Sequence, residues 1–114
     1  MKIFIERYSG TYARPHLMVK RGLAQIPDVK IVHNHEESDL IFAINNSSSP
    51  LDLDMVNRNK EKVVFIDYQD NANHLFGRNY KAYFKRSVVS PFIENVGRTN
   101  LYANDNYVKP IWYC

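Results

Sequence analysis

The chain has 114 residues, of which 45% are apolar, and its 15 basic and 12 acidic residues give a net charge of +3. This composition predicts one folded domain, excludes a disordered chain and, without a clustered basic stripe, argues against nucleic acid as a partner. A lone cysteine at position 114, no apolar stretch of the roughly 20 residues that span a bilayer and no signal sequence together predict a cytoplasmic protein without a membrane span.

Apolar runs and turn residues divide the chain into alternating strands and helices. The predicted strands are short apolar runs without alternation, which is typical of strands buried on both faces of a parallel sheet. The clearest run covers residues 63–66 and ends abruptly in polar residues from Asp67 onward. The predicted strands cover residues 2–8, 29–33, 40–44, 62–67 and 82–85, and the predicted helices cover residues 14–26 and 50–59.

Both predicted helices have recognisable features. Pro15 suits the first turn of the first helix, and Ser49 followed by Pro50 predicts the start of the second. Gly22 inside the first helix costs about 1 kcal/mol relative to alanine, which a close approach of the helix to the sheet would explain. Apolar residues at a spacing of three or four give the first helix one apolar face: Val19, Leu23 and Ile26.

The order of these elements predicts the fold class. The order strand, helix, strand, strand, helix, strand is typical of a mostly parallel α/β protein. Right-handed crossovers favour a three-layer, Rossmann-like open sheet of about five strands, for which we expect the strand order 3-2-1-4-5. Residues 1–90 are predicted to form this domain, and residues 91–114 an irregular C-terminal extension of it.

The turn after the first strand is one candidate binding site. It consists of Ser9, Gly10, Thr11 and Tyr12, with Arg14 beside it. Backbone N–H groups at the start of the following helix can hold a phosphate or carboxylate, although a plain strand-to-helix turn is the commoner meaning of such a sequence. The glycines of a dinucleotide fingerprint and the lysine of a P-loop are absent, and no cofactor is predicted.

A second candidate site follows the fourth strand and contains Asp67, Tyr68, Asp70 and His74. Ligands of open parallel sheets bind beyond the carboxyl ends of the strands. A carboxylate there can act as a general base or bind sugar hydroxyls. The alternative is that Asp67 only caps the next turn through a hydrogen bond to its own backbone.

A third candidate is the end of the fifth strand, where Lys85 and Arg86 follow one another. Two cations suit the recognition of a phosphate or carboxylate. The alternative, which we favour, is an edge strand kept soluble by its charges.

A metal site is the weakest of the candidates. His33 and His35 would point the same way from a strand, with Glu36 and Glu37 next to them. A solvated strand end explains these residues more simply, and no metal site is predicted.

Three segments resemble the N-terminal domain of GT-B-type glycosyltransferases. They are residues 63–70 (Val-Val-Phe-Ile-Asp-Tyr-Gln-Asp), 83–87 (Tyr-Phe-Lys-Arg-Ser) and 39–43 (Asp-Leu-Ile-Phe-Ala), and the resemblance covers roughly residues 1–90. It implies a two-domain enzyme whose N-terminal half holds the acceptor and whose C-terminal half binds most of the nucleotide-sugar. With 114 residues and no donor half, we expect an acceptor-side domain that is not catalytic alone, and no catalytic residue is transferred.

The alternative to this function is a standalone module of flavodoxin-like shape that binds a small molecule or a protein and has no enzymatic activity. The many aromatic residues suit a sugar or nucleotide-sugar ligand. Either a missing second domain or a homodimer would cover apolar surface such as residues 111–113.

Overall fold

The secondary structure alternates between short strands and short helices. A computed structural model of the chain describes residues 1–6, 14–45, 51–68, 76–85 and 107–110. In chain order the elements are β1 (Lys2–Glu6), α1 (Arg14–Ala24), β2 (Lys30–Val32), β3 (Leu40–Asn45), α2 (Leu53–Arg58), β4 (Val63–Asp67), β5 (Ala82–Lys85) and β6 (Val108–Pro110). Single 3-10 turns lie at His35–Glu37 and Lys60–Lys62.

The described strands form one six-stranded sheet in the order β2-β1-β3-β4-β5-β6. Every pairing between neighbours is parallel. Leu23 of α1 packs on one face of the sheet, and Met55 and Val56 of α2 pack on the other. The chain is therefore an α/β protein with an open parallel sheet, which confirms the predicted fold class.

The predicted strand order 3-2-1-4-5 is wrong. That order places β3 at an edge, but β3 lies between β1 and β4, and β2 takes the edge. Ile41, Ala43 and Ile44 of β3 have no exposed surface, which requires neighbours on both sides and cover on both faces. By contrast, β2 has three residues and begins with the exposed Lys30, and a short, charged strand is suited to an edge.

One strand, β6, lies in the segment that was predicted to be irregular. It pairs with β5 in parallel, with Val108 opposite Tyr83. Three residues that end in proline give no apolar run, so the sequence pattern did not indicate a strand there. Because β6 pairs with the outer side of β5, β5 is not an edge strand. The interpretation of β5 as an edge strand kept soluble by charge is therefore wrong.

The helices are shorter than predicted. Asp52 caps α2, since its Oδ1 accepts a hydrogen bond from the Met55 N–H at 3.3 Å, so the predicted start at Ser49 and Pro50 is wrong. The helix α1 ends at Ala24, and Ile26, beyond that end, is 50% exposed. Within the described residues, neither helix is long and apolar enough to cross a membrane.

The predicted close approach at Gly22 is also wrong. A Cβ atom added to Gly22 would meet no atom within 4 Å. We therefore expect Gly22→Ala to raise the free energy of unfolding by about 0.5–1 kcal/mol, because alanine has less conformational freedom to lose than glycine. Urea unfolding followed by circular dichroism measures this change.

A matched control for this substitution is Gly77→Ala. A Cβ there would lie 3.3 Å from the Tyr80 Cε2 atom, which is tighter than ordinary contact, so no gain is expected. If both substitutions changed the free energy of unfolding by the same amount, the conclusion that Gly22 has open space for a Cβ atom would be contradicted.

Candidate functional site

The four central strands all end in a polar side chain at the same edge of the sheet. These side chains, called the polar row below, are Glu6 of β1, Asn45 of β3, Asp67 of β4 and Lys85 of β5. Glu6 is 4% exposed, Asn45 is 6% exposed, and the other two have no exposed surface. Burying polar groups costs free energy unless they are paired, so a buried polar edge on an apolar sheet marks a candidate site.

Strand alternation places the polar row on the α2 face of the sheet. Asn45 pairs in register with Asp67, and Asp67 pairs with Lys85. Glu6 pairs with Ala43, which lies two residues before Asn45 and therefore points to the same side. The residues two positions before each member of the row belong to the apolar layer against α2: Phe4, Ala43, Phe65 and Tyr83.

One half of the polar row is a hydrogen-bond network around Asp67. The Lys85 ammonium donates to Asp67 Oδ2 at 3.1 Å, and the Tyr83 hydroxyl donates to the same oxygen at 3.0 Å. The Tyr83 hydroxyl oxygen in turn accepts the Phe76 N–H at 3.1 Å. Burial, followed by the negative charge of Asp67, raises the pKa of Tyr83 above its usual range, so the hydroxyl keeps its proton.

The other half of the polar row contains a carboxyl group poised to titrate near neutral pH. Burial raises the pKa of Glu6 from 4.5 to about 7. The backbone N–H of Asp52 donates to this carboxylate and lowers its pKa, whereas the Asp52 charge raises it. Glu6 is therefore a mixture of protonated and ionised forms at neutral pH.

Glu6 and Asn45 lie on the two sides of a topological switch point. The chain leaves β1 for α1 on one face of the sheet and leaves β3 for α2 on the other. Where neighbouring parallel strands diverge in this way, a crevice opens beyond their carboxyl ends, and ligands of open α/β sheets bind there. Within the described part of the chain, Glu6 Oε2 and Asn45 Nδ2 are buried and have no hydrogen-bond partner.

A buried histidine supports this crevice from the α1 face. His16 has no exposed surface, and its ring donates a hydrogen bond to the Glu6 backbone carbonyl. Burial lowers the pKa of His16, with the Glu6 carbonyl opposing the shift, so the neutral ring is favoured. The contact joins the first turns of α1 to the end of β1.

The structure brings two of the predicted site residues together and separates a third from them. Asp67 and Lys85 form an ion pair inside the polar row. Tyr68 packs with the apolar layer on the α1 face, and its N–H donates to the Asn45 carbonyl at 3.0 Å. Arg14 begins α1. Seven predicted residues lie outside the described residues and remain predictions: Ser9, Gly10, Thr11, Tyr12, Asp70, His74 and Arg86.

The strand geometry that a histidine-based metal site would require is not found, in agreement with the predicted loop after residue 33. His35 lies in a 3-10 turn instead of a strand, and its ring packs against Phe4 with 5.9 Å between the ring centroids. No cluster of three or more His, Cys, Asp or Glu residues suited to a metal ion occurs among residues 1–6, 14–45, 51–68, 76–85 and 107–110.

Sequence reasoning missed Glu6, Asn45 and His16. Glu6 was placed inside a strand that was predicted to continue to residue 8, and Asn45 was placed in a loop. Both directly follow an apolar run, as Asp67 does, and that pattern was the available signal. His16 precedes Val19 and Leu23 by three and seven residues, which is helical spacing on the buried face.

Comparisons with known proteins give no independent assignment. Neither the family models nor the curated proteins nor the solved structures that were searched contain a match to this chain. The function must therefore be inferred from the polar row and its surroundings.

Proposed function

We propose that the chain is the acceptor-side domain of a GT-B-type glycosyltransferase, which binds a sugar-like acceptor at the polar row and transfers no sugar alone. The observation that carries this proposal is the row of buried donors and acceptors at the carboxyl edge of a parallel sheet. Carboxylate and amide side chains are suited to hydroxyl groups, since a hydroxyl both donates and accepts a hydrogen bond.

The location of the resemblance supports this proposal. The three segments that resemble glycosyltransferases fall on β3, β4 and β5, which lie side by side in the centre of the sheet. Three of the four members of the polar row, Asn45, Asp67 and Lys85, end those strands. The resemblance and the candidate site thus occupy the same part of the fold.

The charge of the polar row favours an acceptor over a nucleotide-sugar. Lys85 is the cation of the row, and its ammonium is bound to Asp67 at 3.1 Å with no exposed surface on either side chain. It is therefore not available to a diphosphate. Glu6, with the exposed Asp52 beside it, adds negative charge, which disfavours phosphate further.

Chemical-shift mapping on the complete chain tests the proposed function. We expect neutral monosaccharides (glucose, galactose, mannose or N-acetylglucosamine) to shift the backbone amide signals of Asn45, Asp67 and Lys85. The amide signals of Lys30 and Val63, which are the first residues of β2 and β4 and lie at the amino ends of the strands, serve as the internal control and should not shift. The chain mixed with a binding sugar and UDP-glucose should release no UDP.

Two outcomes, one from the chemical-shift mapping and one from the UDP-release test, would reject the acceptor-side role. One is the absence of any sugar-dependent shift at the carboxyl edge. The other is UDP release by the isolated chain at a rate above the enzyme-free background, because a domain that transfers sugar alone is not an acceptor-side half.

The strand order supports one alternative function, a standalone binding module of flavodoxin-like shape. The sequence β2-β1-β3-β4-β5 within the sheet is the order of flavodoxin-like proteins, whose ligand lies at the switch point between β1 and β3. Flavin mononucleotide is the direct probe, because its fluorescence changes when a protein buries it. Flavin binding without sugar binding would favour this alternative over the glycosyltransferase role.

A further inference from the structure

Two unsatisfied polar atoms lie at the switch point between β1 and β3. Glu6 pairs with Ala43 in register, so Glu6 and Asn45 are diagonal neighbours on one face of the sheet. Such neighbours have Cα atoms about 7–8 Å apart, which is close enough for both side chains to contact one small group. Yet Glu6 Oε2 and Asn45 Nδ2 are bonded neither to each other nor to any other described residue.

Leaving both atoms unsatisfied is costly. A buried polar group without a partner costs about 1–3 kcal/mol, and here two occur side by side with 4% and 6% of their residues' surface exposed. Natural proteins leave few such groups, and each calls for an explanation such as a catalytic role, a bound water or a bound ligand. The pair therefore points to a group from outside the described chain.

We propose that Glu6 and Asn45 form a subsite for one neutral hydroxyl group of a polyhydroxylated ligand. Asn45 Nδ2 donates to the hydroxyl oxygen, and the hydroxyl proton is donated to Glu6 Oε2. This subsite deepens the proposed function and rests on it for the position of the ligand at the carboxyl edge.

The chemistry of the two side chains favours a neutral hydroxyl group over charged ligands. An anion such as phosphate meets the carboxyl group of Glu6 and the charge of Asp52, which interact with each other. A cation can bind the Glu6 carboxylate but leaves Asn45 Nδ2, which can only donate, without a partner. A hydroxyl group satisfies both atoms, since it accepts one hydrogen bond and donates another.

Side-chain NMR of the complete chain tests the subsite directly. The probes are glucose, galactose, mannose and N-acetylglucosamine, with inorganic phosphate as the anionic counter-probe. We expect the Asn45 side-chain amide signals to shift saturably with at least one sugar and to stay in place with phosphate. The side-chain amide of Asn59 is the internal control, because its Nδ2 donates to the Met55 carbonyl at 2.7 Å, far from the carboxyl edge.

Substitution gives a second readout. Asn45→Leu removes the donor at similar volume and identifies the Asn45 signals by their disappearance. It is expected to weaken sugar binding about tenfold, the effect of losing one hydrogen bond to the ligand. Asn59→Leu is the matched control and should leave the affinity unchanged. The shift experiment on the unsubstituted chain decides the question even if Asn45→Leu does not fold.

The outcomes separate this inference from the proposed function. If sugars shift the backbone amides of the carboxyl edge but leave the Asn45 side chain in place, the subsite is wrong and the acceptor-side role stands. Unchanged affinity in a folded Asn45→Leu variant would also overturn the subsite, and so would a shift by phosphate. If no sugar binds at all, both proposals fail.

Discussion

Replacing Asp67 by Asn is expected to lower the free energy of unfolding by about 3–5 kcal/mol at neutral pH. The substitution keeps the shape of the side chain but removes the negative charge that faces the Lys85 ammonium at 3.1 Å. Neither side chain has exposed surface, so water cannot replace the lost partner. The Tyr83 hydroxyl, which donates to the same oxygen, loses a charged acceptor as well.

Urea unfolding at neutral pH measures this loss, and an exposed lysine provides the control. Lys81 lies just before β5 and is exposed, so Lys81→Met should change the stability by no more than about 0.5 kcal/mol. An effect of Asp67→Asn that is as small as that of Lys81→Met would contradict the buried ion pair.

Removing both charges distinguishes a stabilising pair from a functional one. In Asp67→Leu with Lys85→Met, neither charge of the pair stays buried, and replacement of a buried pair by apolar residues is often neutral or stabilising. We expect this double variant to recover most of the loss caused by Asp67→Asn. Recovery would mean that the ion pair makes no net contribution to the free energy of unfolding. A role in ligand binding at the carboxyl edge would then explain the pair better than a role in stability.

The fold class was predictable from sequence because local patterns encode it. The run at β4 is unbroken, β-branched and bounded by charged residues, so its bounds of 62–67 were predicted within one residue. The same holds for β5, predicted over 82–85 and found there. An apolar run of this kind indicates a strand that is buried on both faces of the sheet. It does not indicate which strands lie on either side of it.

The strand order was not predictable in the same way because it depends on contacts between distant segments. A short polar connection joins β2 to β3, and nothing in its composition tells whether β3 pairs with β2 or crosses to the far side of β1. Backbone contacts settle the question in the structure. The Asp39 N–H donates to the Lys2 carbonyl at 2.8 Å, and Asp39 Oδ2 accepts the Lys2 N–H at 2.8 Å, so β3 begins beside β1.

The candidate site was half predictable for a related reason. Asp67 and Lys85 end strands whose bounds were correct, so their place at the carboxyl edge followed directly. Glu6 and Asn45 were missed because the ends of β1 and β3 were misplaced by one or two residues. An error of that size is harmless for the fold, but it moves a polar residue from the site to a loop or to the middle of a strand.

The Glu6 carboxyl group is expected to make the chain less stable as the pH rises from about 4.5 to about 7. Its pKa is higher in the folded state than in the unfolded chain, so the folded state binds more protons in this range, and stability falls with increasing pH. The contribution is complete below the unfolded pKa and lost above the folded one. A difference of this size corresponds to at most about 3 kcal/mol.

Glu6→Gln isolates this effect, because glutamine resembles the protonated acid and does not titrate. We expect the variant to match the parent chain near pH 4.5 and to exceed its stability by up to about 3 kcal/mol near pH 8, as measured by urea unfolding across that range. Glu61→Gln, at an exposed position, removes the same charge and should follow the parent curve. Parallel curves of stability against pH for Glu6→Gln and the parent chain would show that the Glu6 carboxyl group is solvated in the folded state. The description of Glu6 as a buried carboxyl group between β1 and β3 would then be wrong.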